Sequence, residues 1–91
     1  MFVDMLNLPD LKNYDVSSLK TGYMAGAPCP QQIVQSVVND LHMKDFVIAY
    51  GMTETSPVTF SGYSSDPLEI RHSTIGYPSD HTEVKRQIKI D

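Results

Sequence analysis

Residues Pro30–Gly51, PQQIVQSVVNDLHMKDFVIAYG, decide the fold. Pro30 suits the first position of a helix, where its missing N–H is not needed. Ile33, Val34, Val37, Val38 and Leu41 then fall on one helical face, with Gln32, Gln35, Ser36, Asn39 and Asp40 on the other. Valines are poor helix formers, so packing must hold this helix more than propensity does. Phe46-Val47-Ile48-Ala49-Tyr50 follows as an unbroken apolar run, which fits a strand buried on both faces of a parallel sheet. Upstream, Lys20–Ala25 reads as a short strand ended by the breaker run Gly26-Ala27-Pro28-Cys29-Pro30. Strand, helix and strand make a right-handed βαβ unit. The expected fold class is α/β, a βαβ piece of a mostly parallel sheet. Both strands of such a unit end on the same sheet edge, where open α/β sheets bind ligands. The Gly26 loop and the Gly51 loop are therefore expected to wall one crevice.

Outward from this unit the pattern is less regular. Met1–Leu8 reads as the end of a helix stopped before Pro9. Asp10–Leu19 is polar with intermittent apolar anchors, and Asp15 is placed to cap a turn over Ser17 and Ser18. Val58-Thr59-Phe60 suggests a further short strand, and Ser61–Ser73 reads as turn-rich surface. Val84, Arg86, Ile88 and Ile90 alternate, which predicts a C-terminal strand with one half-buried face.

Composition narrows the function classes. Ninety-one residues make at most one domain, and 41% hydrophobic with 20% charged residues is globular composition. A net charge of −4 disfavours nucleic-acid and anionic-membrane surfaces, which need clustered positive charge. No apolar run approaches the roughly 18 residues of a membrane span. The single Cys29 excludes an internal disulfide framework. His42, His72 and His81 show no paired spacing for a structural zinc. Met1–Leu8 has neither a secretory nor a transit character, so no targeting segment is expected there, and the chain reads as a piece of something longer.

The chemistry-bearing stretch is Tyr50-Gly51-Met52-Thr53-Glu54-Thr55-Ser56. Gly51 admits close backbone approach, Thr53 and Thr55 offer hydroxyls to a phosphate, Glu54 offers hard oxygen to magnesium, and Tyr50 offers a flat face to a base. The same residues also suit a strand ending in a turn whose hydroxyls bond locally to backbone. Gly26-Ala27-Pro28 has the same two readings: a rest for a planar ring, or a plain connection. It lacks the Gly-Lys-Ser/Thr ending of a Walker loop. Cys29 lies near a helix amino end, which lowers a thiol pKa, but no histidine accompanies it. Ser56 lacks a nucleophile-elbow surround.

Tyr50-Gly51-Met52-Thr53-Glu54 resembles the YG-x-TE signature of adenylate-forming enzymes, the acyl-CoA synthetase and luciferase superfamily. Gly26-Ala27-Pro28 is similar to the family's adenine loop, at a fitting interval upstream. Ile75-Gly76-Tyr77-Pro78 through Thr82-Glu83-Val84-Lys85 resembles its later Val-Gly-Arg-Pro … Glu-Val-Lys stretch. Phe2-Val3-Asp4-Met5-Leu6, Met43-Lys44-Asp45, Ser56-Pro57-Val58-Thr59-Phe60 and His81-Thr82-Glu83 look most like a mitochondrial medium-chain acyl-CoA synthetase branch.

The resemblance covers nearly the whole chain. It implies residues 1–91 of a partial AMP-binding, amino-terminal domain, from an enzyme that activates a fatty acid with ATP and passes it to coenzyme A. By position, it implies that Gly26, Ala27 and Pro28 border adenine and that Tyr50 packs near the base. Gly51 and Met52 would approach the nucleotide and acyl group through backbone. Thr53 would bond the α-phosphate, and Glu54 would hold Mg²⁺; Thr53 and Glu54 are the implied catalytic pair.

Tyr77 departs from the family's Arg, and Asp80-His81 from a common Pro-Gly. The family's Lys-bearing phosphate loop, its Thr-Gly-Asp and its mobile carboxy-terminal domain have no counterpart in these 91 residues. A fragment of an acyl-CoA synthetase is therefore the expected identity. The alternative is a non-catalytic interaction module that keeps the fold and binds a partner at an exposed sheet edge.

Overall fold

A computed structural model describes residues 1–88. In chain order these form α1 (Phe2–Leu6), β1 (Thr21–Met24), α2 (Gln31–Asp40), β2 (Asp45–Gly51), β3 (Val58–Ser61), α3 (Leu68–Ser73) and β4 (Tyr77–Pro78). Single 3₁₀ turns stand at Leu11–Asn13 and Thr53–Thr55. The α/β class and the βαβ unit over 21–51 match the reading of the sequence. Val34, Val37 and Leu41 on α2 are fully buried and pack with Phe46 and Ile48 of β2. Phe2 of α1 closes this core edge-on to the Phe46 ring, with centroids 5.4 Å apart. Phe46 to Ala49 is buried throughout, on both faces of β2. β1 and β2 run parallel, with Thr21 opposite Asp45 and Met24 opposite Ile48. Asp15 turns the preceding loop by accepting from Ser17 N–H at 3.0 Å and from its hydroxyl at 2.6 Å.

Three expectations need correction. The sheet is mixed rather than mostly parallel: in the order β1-β2-β3-β4, only β1 and β2 are parallel. A parallel return needs a crossover of about a dozen residues or more, and the Met52–Pro57 connection is too short for one. The chain therefore turns back and pairs antiparallel, with an irregular register at Tyr50/Gly51. The expected C-terminal strand is absent over Val84, Arg86 and Ile88, and Ile90 lies outside the described residues. Alternation makes a strand only where a neighbouring edge takes its hydrogen bonds, and β3 is taken instead by Tyr77 and Pro78. Ser61–Ser73 is not all turn; it contains α3, on which Arg71 is buried.

The fold leaves much apolar surface open. It exposes 7299 Å², whereas a compact monomer of this mass exposes about 5,300 Å². Its radius of gyration is 15.2 Å, against about 12 Å for a compact chain of this length. Tyr23, on the unpaired edge strand β1, is 66% exposed. Unpaired edges and open apolar faces drive association. The isolated 91-residue chain is therefore expected to self-associate at micromolar concentration. Light scattering behind size exclusion checks this; a monodisperse monomer that unfolds cooperatively would contradict it.

Candidate functional site

The parallel register of β1 and β2 sends Gly26 and Gly51 out at the same sheet edge. There they line one cleft of about 520 Å³, together with Ala27, Pro28, Cys29, Tyr50 and the segment His72–Ile75 that ends α3. Gly26 adopts φ +88°, a left-handed turn that favours glycine. It swings the chain away from β1 into the loop that forms one wall. Tyr50 forms another: its ring meets Phe60 edge-on at 6.1 Å, and the residue remains 45% exposed.

Gly51 has a structural reason of its own. A Cβ there would run into the Pro57 carbonyl oxygen, because the strand passes hard against its own return at the irregular β2/β3 pairing. The turn that follows is tied by Thr55, whose hydroxyl accepts from Met52 N–H at 3.2 Å and donates to the Met52 carbonyl at 2.9 Å. Thr59 donates to it in turn at 2.8 Å. Thr55 thus serves the local backbone. Ser56 completes the turn at φ 65°. Thr53 and Glu54 sit on the same turn, exposed, with no side-chain hydrogen bond or ion pair among the described residues. They stand with Met52 just past Gly51, outside the lining of the cleft itself.

Cys29 does not behave as a helix-end thiol. Its Sγ donates to the Ala27 carbonyl at 3.3 Å, and burial pushes the thiol pKa up. Desolvation favours the protonated thiol.

The wall His72–Ile75 was missed in the sequence, although signals for α3 were there. Pro67 precedes a short helix with Glu69 in its first turn and Arg71 and His72 in its last, the charge order a helix prefers. His72 lies at the cleft with Nε2 buried and unpartnered. Desolvation, with a smaller contribution from Arg71, lowers its pKa and favours the neutral ring. Tyr77 packs on Tyr63 at 5.4 Å and donates to Asp66 at 3.4 Å, so it braces the 63–66 turn.

The profile of the AMP-binding enzyme family matches residues 1–86. The chain belongs to this family. It is 44% identical over 85 residues to "Medium-chain acyl-CoA ligase ACSF2, mitochondrial" of Homo sapiens. It is 46% identical over 85 residues to the Danio rerio protein of the same name and to the "Putative acyl-CoA synthetase YngI" of Bacillus subtilis. Each match covers 93% of this chain but only 14%, 14% and 16% of those relatives, so the chain spans about a seventh of their length. No solved structure matches.

In this segment the two motif loops meet at a cleft within the 300–1,000 Å³ range typical, roughly, of small-molecule sites. Among the described residues no three His, Cys, Asp or Glu side chains gather as a metal site. Magnesium nevertheless binds through one or two carboxylates beside substrate phosphates and water. A single exposed Glu54 fits that donor set. No helix is long and apolar enough to cross a membrane among the described residues.

Proposed function

We propose that residues 1–91 are part of the large AMP-binding domain of a fatty-acid–CoA ligase, and carry the adenine and α-phosphate side of its site. One observation supports this most: the Gly26-Ala27-Pro28 loop and Tyr50-Gly51 line a single cleft at one sheet edge. In this reading Gly26, Ala27 and Pro28 border the adenine, and Tyr50 offers it an aromatic face. Gly51 and Met52 present backbone to the nucleotide and acyl group, and Thr53 donates to the α-phosphate. Glu54 holds Mg²⁺, which supplies charge neutralisation to the phosphoryl oxygens.

The reaction is attack of the fatty-acid carboxylate on the α-phosphorus of ATP, which releases pyrophosphate and leaves the acyl-adenylate. The thiol of coenzyme A then attacks the acyl carbonyl and releases AMP. These residues bind, orient and stabilise charge rather than move protons. A medium-chain acid and a mitochondrial setting follow the names of the mammalian relatives.

The test is a chimera that carries residues 1–86 in place of the matching segment of the Bacillus relative. It is expected to release pyrophosphate and form thioester in a fatty-acid-dependent manner. A folded chimera that binds no ATP would instead support the interaction-module reading. The 91-residue chain by itself is expected to make no thioester, because it contains no Lys-bearing phosphate loop to neutralise the transferring group. Thioester made by the purified chain with ATP, Mg²⁺, fatty acid and coenzyme A would overturn that.

A further inference from the structure

Arg71 is the one charged side chain buried among the described residues, 7% exposed. Its Nη1 donates to the Lys44 carbonyl oxygen at 2.9 Å, across 27 positions of sequence, while its Nε has no partner. No carboxylate pairs with it among the described residues, where the only ion pair joins the Met1 amino group to Asp4. A buried guanidinium without a counter-ion is a poor source of stability, and one carbonyl leaves most of its five donors unused. The bond's consequence is geometric. Lys44 immediately precedes β2, and Arg71 immediately precedes His72–Ile75, the cleft wall that α3 supplies. A helix as short as Leu68–Ser73 does not hold itself, and Leu68 and Ile70 on it are 55% and 41% exposed. Besides its packing on β2 and α2, α3 is tied to the start of β2 by this one long-range hydrogen bond.

We propose that Arg71 is a positioning residue for the nucleotide: by fastening α3 to the start of β2, it holds His72–Ile75 as the wall that completes the cleft. The inference rests on the AMP-binding reading of that cleft. Burial, with a smaller contribution from Arg71, lowers the pKa of His72 on that wall.

The test uses the chimera with Arg71→Met and Arg71→Lys. Arg71→Met is expected to raise KM for ATP about tenfold, with kcat and the fatty-acid KM changing less than about twofold. Arg71→Lys, which can still reach the carbonyl, is expected to recover most of that loss. Hydrogen exchange should quicken at His72–Ile75 in Arg71→Met while β2 stays protected. An unchanged KM for ATP in a folded variant would overturn the proposal. So would a parallel loss in both KM values and kcat that follows a lower melting temperature. If Arg71→Met does not fold, Arg71→Gln decides, because its amide ends two bonds short of the Nη1 that makes the bond to Lys44: a raised KM for ATP with faster exchange confined to the wall supports the tie, and no change in either sinks it. An unmutated chimera that folds but ignores ATP would defeat the functional reading instead, and the exchange data would still judge the tie.

Discussion

Glu54→Gln in the chimera is expected to lower the adenylation rate by about 10²-fold or more, the scale of losing one preorganised transition-state contact. Glu54 is exposed on the turn after Gly51, with no side-chain hydrogen bond or ion pair among the described residues. Its carboxylate thus has no evident work within this segment. Gln keeps the shape and removes the charge that a hard cation prefers. Added Mg²⁺ should restore part of the rate by mass action. Thioester formation from preformed acyl-adenylate should suffer less, since pyrophosphate has already left. Pyrophosphate release and thioester formation, measured separately over a Mg²⁺ titration, check this. Equal loss in both steps with no magnesium response would show that Glu54 merely braces the turn.

Gly51→Ala should cost about 3 kcal/mol of stability, the upper part of the overpacking range. The new Cβ meets the Pro57 carbonyl, which belongs to the backbone and cannot rotate aside as a side chain can. Relief requires the β2/β3 pairing to open at Tyr50/Gly51, which would also move Tyr50 and the turn carrying Thr53 and Glu54. Gly62→Ala is the control, because a Cβ there makes only ordinary contact with Val47, at 3.8 Å. Denaturant unfolding of both chimeras, with the parent alongside, separates them. A Gly51→Ala loss no larger than that of Gly62→Ala would mean the glycine is there for a ligand and not for the fold.

The βαβ unit was legible because its signals are local. The Ile33-to-Leu41 face and the Phe46-to-Tyr50 run each declare their own geometry within a few residues. The crevice followed from topology, since parallel strands must end on one edge. The residues of the two loops were named for the same reason. Their company in the cleft was not, because His72–Ile75 arrive through a short helix whose one buried residue, Arg71, bonds to Lys44, 27 positions away. Thr55 shows the same limit on a smaller scale. Its hydroxyl looked as suited to phosphate as that of Thr53, and only the folded turn commits it to Met52 and Thr59.

The sequence by itself determined the α/β class, the helix–strand core and the kinship of the Tyr50–Glu54 and Gly26–Pro28 motifs. These depend on side-chain periodicity and on residue types that act over short spans. The tertiary structure alone decided that β3 and β4 pair antiparallel, that Val84 to Ile88 form no strand, and that Gly51 is demanded by Pro57. It also decided that a buried arginine ties the third wall of the cleft to the sheet. Each of these depends on which backbone edge or carbonyl is within reach after folding, and a hydrogen bond between distant residues leaves no periodic trace along the chain.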